Sequence, residues 1–462
     1  MSSRSSGTRS PGTGTPKGTL ERYKREKTSL QAVKSPIFMV SRSNNTITGR
    51  QVDYMIANEE EQAEVRSARV LPTIPGQVTP DTPLESLNLN WRERDLPEKE
   101  RTKHVHRLHP YLGKFIPQLA EVFLRKYFRR GQTVLDPFVG SGTTLVQANE
   151  LGINSIGYDI SAFNVLLCRA KTAHYDISEM QREVLDILAR VKAATQISSS
   201  QRSLTGEVIE TLSISGMDNE YLQQWFAPRA LRELLTYRSF IETGDYQYTD
   251  LLKVILSRAA RSARLTTHFD LDFPKRPVTE PYWCYKHSRI CSPTGEAFKF
   301  LNRYSKDTIK RVKQFQEIRT DASVQLFHED SRKATYPENN GIFTSPPYVG
   351  LIDYHEQHAY AYHLLGLQDM RESEIGAASN GSSMKAQERY KKDIAEVFCR
   401  ASEFMPAGSR IIVVANDRAN LYGDIADMVG VEVEGIIIRC VNRRTGRRSG
   451  EFYESIFVWR KC

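Results

Sequence analysis

A strand–turn–helix motif at residues 133–150 constrains the fold more than any other stretch of the chain. A short apolar run over residues 133–135 ends at Asp136, and the turn Gly140-Ser141-Gly142 then opens a helical stretch from Thr143 to Glu150. A glycine turn between a strand and a helix is typical of nucleotide-binding βαβ units, because the helix N-terminus presents free amide groups to a ligand. The motif therefore predicts an α/β fold built on a mostly parallel sheet.

The spacing of this motif disfavours a pyrophosphate ligand. No Gly-Lys-Ser/Thr follows the turn, and the glycines are not arranged as Gly-x-Gly-x-x-Gly. A second strand, predicted from Asn154 to Tyr158, ends at Asp159. A carboxylate at the end of the second strand can accept both hydroxyls of a ribose, which is the role we expect for Asp159.

A second motif, Ser345-Pro346-Pro347-Tyr348, follows an apolar run and precedes an aromatic-rich helix. Two consecutive prolines fix φ and remove two backbone donors, so the carbonyls before them are held rigidly. A serine oxygen, rigid carbonyls and an aromatic face suit a planar group that carries an NH2. A turn that merely ends a strand uses the same residue types, so the tetrapeptide alone leaves both interpretations open.

Taken together, the two motifs resemble the S-adenosylmethionine-dependent amino-methyltransferases of DNA, in particular the Ser-Pro-Pro-Tyr type that methylates N4 of cytosine. The resemblance covers Arg107 to Asp159 and Ser323 to Trp459. It implies a Rossmann-like methyltransferase fold, with a mostly parallel seven-stranded sheet that ends in an antiparallel hairpin. It also implies S-adenosylmethionine as the cofactor, double-stranded DNA as the substrate, and a cytoplasmic, nucleoid-associated, prokaryotic-type protein. A cognate restriction endonuclease is then the candidate protein partner; the oligomeric state is not indicated.

The resemblance also implies which residues form the site. The catalytic residues would be Ser345, Pro346, Pro347 and Tyr348, which hold and stack the target base. The first motif would hold the methionine part of the cofactor, and acidic residues after two later strands would hold its ribose and adenine. The cofactor residues are Phe115, Asp136, Pro137, Phe138, Gly140, Gly142, Thr143, Thr144, Asp159 and Asp330.

The target base is less strongly indicated than the cofactor. Adenine N6 presents the same NH2 geometry, and cytosine is favoured only because adenine enzymes more often have Asp or Asn where Ser345 stands. An RNA amino-methyltransferase and a non-catalytic nucleic-acid-binding protein are further alternatives. A carbon-5 methyltransferase is excluded because it needs a Pro-Cys nucleophile, and the chain has no Pro-Cys dipeptide. Many cytosine-N4 enzymes place Ser-Pro-Pro-Tyr before the cofactor motif, whereas here the cofactor motif comes first.

The positive charge of the chain is concentrated at its N-terminus. Residues 1–50 carry ten Lys/Arg against two Glu, a net +8 of the +9 of the whole chain. The Ser/Gly/Thr/Pro-rich start lacks the apolar residues that a core needs, so residues 1–35 are predicted to be a disordered basic arm. Such an arm either adds sequence-independent attraction to phosphates or is a solvated tail.

The rest of the chain divides by its pattern. Residues 36–100 read as an N-terminal extension and linker, 101–176 as the first part of the catalytic domain, and 321–462 as its second part. Between them, residues 177–320 show helical periodicity and form a predicted helical insertion, the candidate target-recognition region. Its expected helices are Met180–Ala193, Tyr221–Phe240, Asp250–Leu265 and Glu296–Gln316.

Two groups of arginines are candidates for contacts with DNA phosphates. Arg258, Arg261 and Arg264 recur every three residues on one predicted helix. A second group surrounds a turn glycine near the C-terminus and comprises Arg443, Arg444, Arg447 and Arg448. A surface that follows the DNA backbone and an ordinary solvated face are both consistent with such patterns.

No metal site and no membrane segment are predicted. Cys284-x2-His287-x3-Cys291 offers three ligands without an obvious fourth, whereas structural zinc sites use four. His104, His106 and His109 lack nearby Cys or acidic partners in the sequence. The six cysteines are scattered and read as reduced thiols, and no run of about 18 apolar residues occurs.

Overall fold

The structure is a computed structural model that describes residues 71–200, 215–268, 270, 274–350, 353–377, 379, 381–441 and 452–462. The predicted basic arm, residues 1–35, and the arginines at 443, 444, 447 and 448 lie outside the described residues. The predictions for them therefore stay predictions.

A seven-stranded sheet forms the centre of the described part of the chain, in the order β5-β2-β1-β6-β7-β9-β8. Neighbouring strands are parallel except β9, which runs antiparallel to both β7 and β8. This is the predicted Rossmann-like sheet with its terminal hairpin, so the predicted fold class is confirmed. The strands are β1 (Thr133–Asp136), β2 (Asn154–Asp159), β5 (Val324–His328), β6 (Gly341–Thr344), β7 (Arg410–Ala415), β8 (Val431–Val441) and β9 (Phe452–Lys461).

The strand order reverses at β1, which pairs with β2 on one side and with β6 on the other. In an open parallel sheet the connections leave in opposite directions at such a point, which opens a crevice at the carboxyl ends of the strands. Both sequence motifs follow these two strands: the glycine turn follows β1, and Ser345 follows β6.

Helices cover both faces of the sheet. Leu135, Ile342 and Ile411 pack on one face with residues of the helices after β6 and β7. Their neighbours Val134, Phe343 and Ile412 pack on the other face with the helix before β1. Successive strand side chains point to opposite faces, so apolar residues without a break are what a doubly covered strand requires.

The described helices are α1 (Glu98–Arg101), α2 (Pro117–Tyr127), α3 (Thr143–Glu150), α4 (Ala162–Thr172), α5 (Ile177–Ser200), α6 (Glu220–Trp225), α7 (Pro228–Thr243), α8 (Thr249–Ala263), α9 (Phe298–Gln316), α10 (Tyr354–Gln357), α11 (Ala359–Leu365), α12 (Met384–Glu403) and α13 (Tyr422–Val429). A short hairpin, β3 (Tyr282–Cys284) and β4 (Arg289–Cys291), lies between α8 and α9. None of these helices has both the length and the apolar composition that crossing a membrane requires.

One predicted helix is wrong in its extent. The stretch Tyr221–Phe240 was expected to be a single helix but forms α6 and α7, with extended backbone at Phe226 and Ala227 between them. Pro228 causes the break, because proline fits the first turn of a helix but disfavours a helical conformation in the residue before it.

The helices between β2 and β5 share a hydrophobic core with the sheet domain. Leu231, Leu252 and Leu301 from α7, α8 and α9 belong to the same buried cluster as Phe163 and Leu167 of α4. Helix α4 begins directly after β2. The region is therefore an insertion in sequence whose packing continues that of the catalytic fold.

Candidate active site

A pocket lies at the carboxyl ends of the parallel strands. Its walls come from both motifs and from the segments that follow β2 and β5. Of the predicted site residues it brings together Phe115, Pro137, Phe138, Gly140, Thr143, Asp159, Asp330, Ser345 and Pro347.

The glycine turn needs glycine at both of its predicted positions. Gly140 and Gly142 have φ of 49° and 76°, in the left-handed region that side chains with a Cβ rarely adopt. A Cβ on Gly142 would also lie 2.8 Å from the sulfur of Cys168. Gly142 is the N-cap of α3, so the turn directs the first amide groups of this helix toward the pocket.

Asp159 at the end of β2 is buried in the pocket wall and holds the glycine turn. Its carboxylate accepts hydrogen bonds from the backbone amides of Gly140 and Ser161, both at 2.8 Å, and from Asn164 Nδ2 at 3.1 Å. Burial raises the pKa of Asp159 to about 7, although these hydrogen bonds oppose the shift. Its ionisation state can therefore change near neutral pH.

Asp136 and Thr144 connect the two motifs beneath the pocket. Thr344, which directly precedes Ser345, donates a 2.6 Å hydrogen bond to Asp136 Oδ1. Thr144 donates in turn to the backbone carbonyl of Phe343 at 3.3 Å. Neither Asp136 nor Thr144 is among the lining residues. Their geometry is that of residues that position the pocket walls, and burial raises the pKa of Asp136 to about 6.

The Ser-Pro-Pro-Tyr turn contributes Ser345 and Pro347 to the pocket wall, whereas Pro346 is buried behind it. The Pro347 carbonyl accepts a 2.9 Å hydrogen bond from Tyr390, whose hydroxyl also lies 2.7 Å from that of Tyr422. The second proline is thus fixed from helix α12. A rigid turn of this kind matches the expectation drawn from the two prolines.

Tyr348 lies deeper than a base-stacking residue was expected to lie. It is 7% exposed, its hydroxyl is 3.4 Å from Glu454 Oε1, and its ring centroid is 6.4 Å from that of Phe452. Burial and the Glu454 carboxylate hold the pKa of Tyr348 well above its ordinary value. Its ring is not part of the pocket lining, so its stacking role stays a prediction.

Sequence reasoning missed several residues of the pocket. Glu374 and Tyr354, which lie between the Ser-Pro-Pro-Tyr turn and α12, line the pocket, as do Tyr111 and Lys114. The rings of Tyr111 and Tyr354 stack with centroids 5.9 Å apart. Burial lowers the pKa of Lys114 to about 8. Tyr111, Lys114 and Glu374 stand in loops and Tyr354 begins the short helix α10, so no repeating pattern marks them. Only the resemblance around Phe115 could have pointed to Tyr111 and Lys114.

Two of the three arginines, Arg258 of α8 and Arg264 directly after it, do not form the exposed row that was expected. Arg258 is 7% exposed and binds Asp307 of α9, with Nη1 2.7 Å from Oδ2. Arg264 is 4% exposed, and its guanidinium lies 4.5 Å from the ring centre of Tyr360. The expectation is therefore wrong for these two residues, because α8 is covered by α9 and α11 on the side that carries them. Arg261 is only partly buried.

Comparison with known proteins agrees with the geometry of the pocket. A family model described as DNA methylase, of the N6/N4 type, matches residues 17–167. The type II methyltransferase M.MjaII of Methanocaldococcus jannaschii is 39% identical over 430 residues, which covers 78% of this chain and 81% of the relative. The chain belongs to the N6/N4 DNA methylase family.

More distant matches are weaker. The type II methyltransferase M.BsoBI of Geobacillus stearothermophilus is 21% identical over 326 residues, which covers 64% of this chain and 59% of the relative. Among solved structures, TrmN of Thermus thermophilus superposes with a TM-score of 0.28 at 13% identity and covers 76% of this chain and 50% of that one. So low a structural score adds nothing to the argument.

As a DNA methylase, the protein is a methyltransferase enzyme that uses S-adenosylmethionine, and the pocket fits this cofactor. The cofactor has a positive sulfonium, an ammonium and two ribose hydroxyls, all of which favour carboxylates. Three carboxylates line the pocket: Asp159, Asp330 and Glu374. Glu374 Oε2 is buried and lacks a hydrogen-bond partner among the described residues, so it can accept a ligand donor.

Proposed function

We propose that the protein is a site-specific DNA methyltransferase that transfers a methyl group from S-adenosylmethionine to N4 of a flipped cytosine, in a restriction-modification system. One observation carries the proposal: Ser345 and Pro347 line the same pocket as the cofactor-motif residues Gly140, Thr143 and Asp159. An acceptor turn and a cofactor turn that share a pocket allow an amine and a methyl donor to meet.

The residues of the Ser-Pro-Pro-Tyr turn would solve the chemical problem of the substrate. The exocyclic amine of cytosine is a poor nucleophile, because its lone pair is delocalised into the ring. Acceptors that bind its hydrogens localise that pair on nitrogen. Ser345 Oγ and the carbonyl of Ser345 or Pro346 would serve as these acceptors. The hydrogen bond from Tyr390 to the Pro347 carbonyl limits movement of the turn and so holds these acceptors in place.

The cofactor supplies an activated methyl on its sulfonium, so the protein needs to orient the reactants and forms no covalent intermediate. In this proposal Asp159 accepts hydrogen bonds from the ribose hydroxyls of the cofactor. The glycine turn and the N-terminus of α3 hold its methionine part, and Asp330 lies beside its adenine. Asp330 is already bound by Arg332, with Nη2 2.8 Å from Oδ2. Although burial alone would raise the pKa of Asp330, Arg332 lowers it and keeps the carboxylate ionised.

Two residues beyond the motifs join the proposed cofactor set. Glu374 has one carboxylate oxygen bound by the His355 amide at 3.1 Å, and the other is free for a cationic or hydroxyl donor. Lys114 donates to the His106 carbonyl at 2.9 Å and keeps a positive charge in the wall, which suits the cofactor carboxylate. Phe115 packs edge-on against Phe343, with centroids 5.2 Å apart, and would cover the cofactor from the side of α2.

The substrate in this proposal is double-stranded DNA. A cytosine amine is hidden inside the duplex, so the base must rotate out of the helix into the pocket, where Tyr348 is the candidate for stacking after rearrangement. Residues 177–320 are the candidate for reading the sequence. The two relatives are named type II methyltransferases, which supports a role beside a cognate endonuclease.

Product analysis separates cytosine from adenine as the target. The enzyme is incubated with duplex DNA and methyl-labelled S-adenosylmethionine under single-turnover conditions, and nucleosides are identified by mass spectrometry. We expect N4-methylcytosine. N6-methyladenine would replace the cytosine assignment with the alternative, and 5-methylcytosine or methylation of RNA alone would overturn the proposal.

A further inference from the structure

The hairpin β3–β4 carries a cluster of four side chains that the methyl-transfer chemistry does not use. Its members are His268, Cys284, His287 and Cys291, and one ligand atom of each lies within 4.8 Å of the ligand atoms of the others. The sequence offered only the last three, whose spacing lacks a fourth ligand. His268, 16 residues upstream of Cys284, supplies it in the fold.

Strand pairing explains why the two cysteines converge. Tyr282 pairs with Cys291, and Cys284 pairs with Arg289, so the cysteines stand on the same face of the hairpin. The pair between them, Trp283 and Ile290, points to the other face and is exposed. At the turn, the amide of His287 donates to the carbonyl of Cys284 at 3.1 Å, which brings the imidazole back over the two sulfurs.

Three of the six distances between the ligand atoms match a tetrahedral metal site, and the other three are at most 4.8 Å. His287 Nδ1 lies 3.5 Å from each of the sulfurs of Cys284 and Cys291. His268 Nδ1 lies 3.4 Å from the sulfur of Cys284. Zinc–sulfur bonds of about 2.3 Å and zinc–nitrogen bonds of about 2.0–2.1 Å at tetrahedral angles place sulfur and nitrogen roughly 3.5 Å apart.

The hairpin also needs an additional source of stability. Its strands have three residues each, and isolated two-stranded hairpins are at best marginally stable in water. Trp283, Tyr285 and Ile290 are all exposed, so this face gains little from packing within the described residues. A cross-link between the hairpin and the segment that follows α8 would supply the stability that packing of the hairpin does not.

We propose that His268, Cys284, His287 and Cys291 bind one structural zinc ion, which ties the β3–β4 hairpin to the segment that follows α8. Two thiolates and two neutral imidazoles form a closed set of four ligands, which is typical of structural rather than catalytic zinc. His268 Nδ1 also lies 2.9 Å from the Tyr282 hydroxyl. In the zinc-bound protein that nitrogen binds the metal, and the hydroxyl keeps its contact with the His268 amide, at 3.1 Å.

A competing explanation is that the four groups merely share hydrogen bonds, and another is that the two cysteines form a disulfide. Neither binds a metal, so metal content distinguishes them. The full-length chain is purified without metal-affinity resin under reducing conditions, and zinc is measured by mass spectrometry. We expect about one zinc per chain. A protein that carries no zinc and fails to bind added zinc would overturn the proposal.

Cobalt substitution tests the ligand set directly. The metal-free chain titrated with Co²⁺ should develop visible absorption of tetrahedral cobalt and a thiolate-to-cobalt charge-transfer band in the near ultraviolet. Cys284→Ser and Cys291→Ser should each clearly weaken the thiolate band, since each removes one of the two thiolates, and His268→Ala should weaken binding at least tenfold. The titration of the wild-type chain shows by itself whether cobalt binds at a tetrahedral site with thiolate ligands. The proposal can therefore be tested even if a variant fails to fold.

Matched controls identify the site. Cys399 is an exposed free cysteine outside the cluster, and Cys399→Ser should keep the full cobalt spectrum and zinc content. Tyr282→Phe should also keep them, because its hydroxyl is not a ligand. Equal spectra for wild type and Cys284→Ser, or a Cys284–Cys291 disulfide found by mass mapping of protein purified without reductant and alkylated at lysis, would refute the proposal.

Discussion

The pocket and the helical insertion both contain buried charged side chains, but these differ in how many of their polar atoms the fold itself binds. In the pocket, Glu374 keeps its carboxylate oxygen Oε2 without a hydrogen-bond partner among the described residues, in a wall that can receive a ligand. In the insertion, both oxygens of Glu233 are bound by the fold itself: Oε1 accepts from Arg229 Nε at 2.9 Å, and Oε2 accepts from the backbone amides of Ala297 and Phe298 at 2.6 and 2.8 Å. A buried carboxylate points to a ligand site where one of its oxygens is left without a partner.

The largest expected effect is on the chemical step. If Ser345 accepts a hydrogen bond that strengthens as charge develops on the amine, Ser345→Ala should cost about 2.7–4 kcal/mol in the barrier, or roughly a hundred- to thousandfold in rate. Affinity for S-adenosylhomocysteine should stay near wild type. Single-turnover rates and calorimetry measure the two quantities. The exposed Ser382→Ala is the control, and an undiminished rate for Ser345→Ala would remove this hydroxyl from the mechanism.

The second effect is on stability and tests whether Arg258 serves the fold of the insertion through its ion pair with Asp307. Arg258→Ala removes one partner of a mostly buried ion pair and should lower the free energy of unfolding by about 2 kcal/mol, less than for fully buried pairs because Asp307 is partly exposed. Denaturant unfolding measures it, and Lys310→Ala on the exposed face of α9 should stay within about 0.5 kcal/mol. If Arg258→Ala is as stable as wild type and its DNA binding depends less on salt, the result would instead favour the first hypothesis, that Arg258 contacts a DNA phosphate.

The third effect concerns the glycine turn. Gly140→Val forces a β-branched residue to a φ of 49° beside the hydroxyl of Tyr111, which lies 3.4 Å from the added Cβ. The strain should weaken binding of S-adenosylmethionine by roughly tenfold or more. Calorimetric titration checks it. Gly295→Val is the matched control, since no atom lies within 4 Å of its Cβ position. Equal affinities in all three proteins would mean that this turn is not at the cofactor.

The smallest effect is a pH dependence. Because the pKa of Asp159 is raised from an ordinary 3.8 to about 7, the carboxyl is protonated in the ligand-free fold below neutral pH. Its ionised form is the better acceptor for ribose hydroxyls, so affinity for S-adenosylhomocysteine should rise several-fold between about pH 6 and pH 8. The stability of the ligand-free protein changes in the opposite direction: the unfolded carboxyl loses its proton near pH 3.8 and the folded one near pH 7, so stability falls as the pH rises from about 4 to about 7 and changes no further above that.

Asp159→Asn is the matched variant for this experiment. It should bind less tightly at pH 8 and lose most of the dependence on pH, because an amide does not titrate in this range. Calorimetry at several pH values decides it. An identical slope in wild type and variant would assign the titration to another group, of which Asp136 is the nearest candidate by its pKa of about 6.

The sheet and the two turns were predictable because their signals are local. A strand that ends in Gly140-Ser141-Gly142, or in Ser345-Pro346-Pro347, has few backbone paths available, and parallel strands bring their carboxyl ends to one edge. The burial of Arg258 and Tyr348 was not predictable, because it depends on which distant segment covers them: α9 in one case and β9 in the other. His268 was missed as a ligand for the same reason.

The hydrogen bonds from Thr344 to Asp136 and from Thr144 to Phe343 join the two halves of the site through space. These contacts do not depend on which of the two motifs comes first along the chain. Strands β1 and β6 lie side by side, so the methyl-donor half and the base-binding half touch through space, although 208 positions separate Thr344 from Asp136 along the chain. A rearrangement of the gene that exchanged the two halves would leave these contacts unchanged. Evolution can therefore shuffle the order of the motifs within this fold without rebuilding the catalytic geometry.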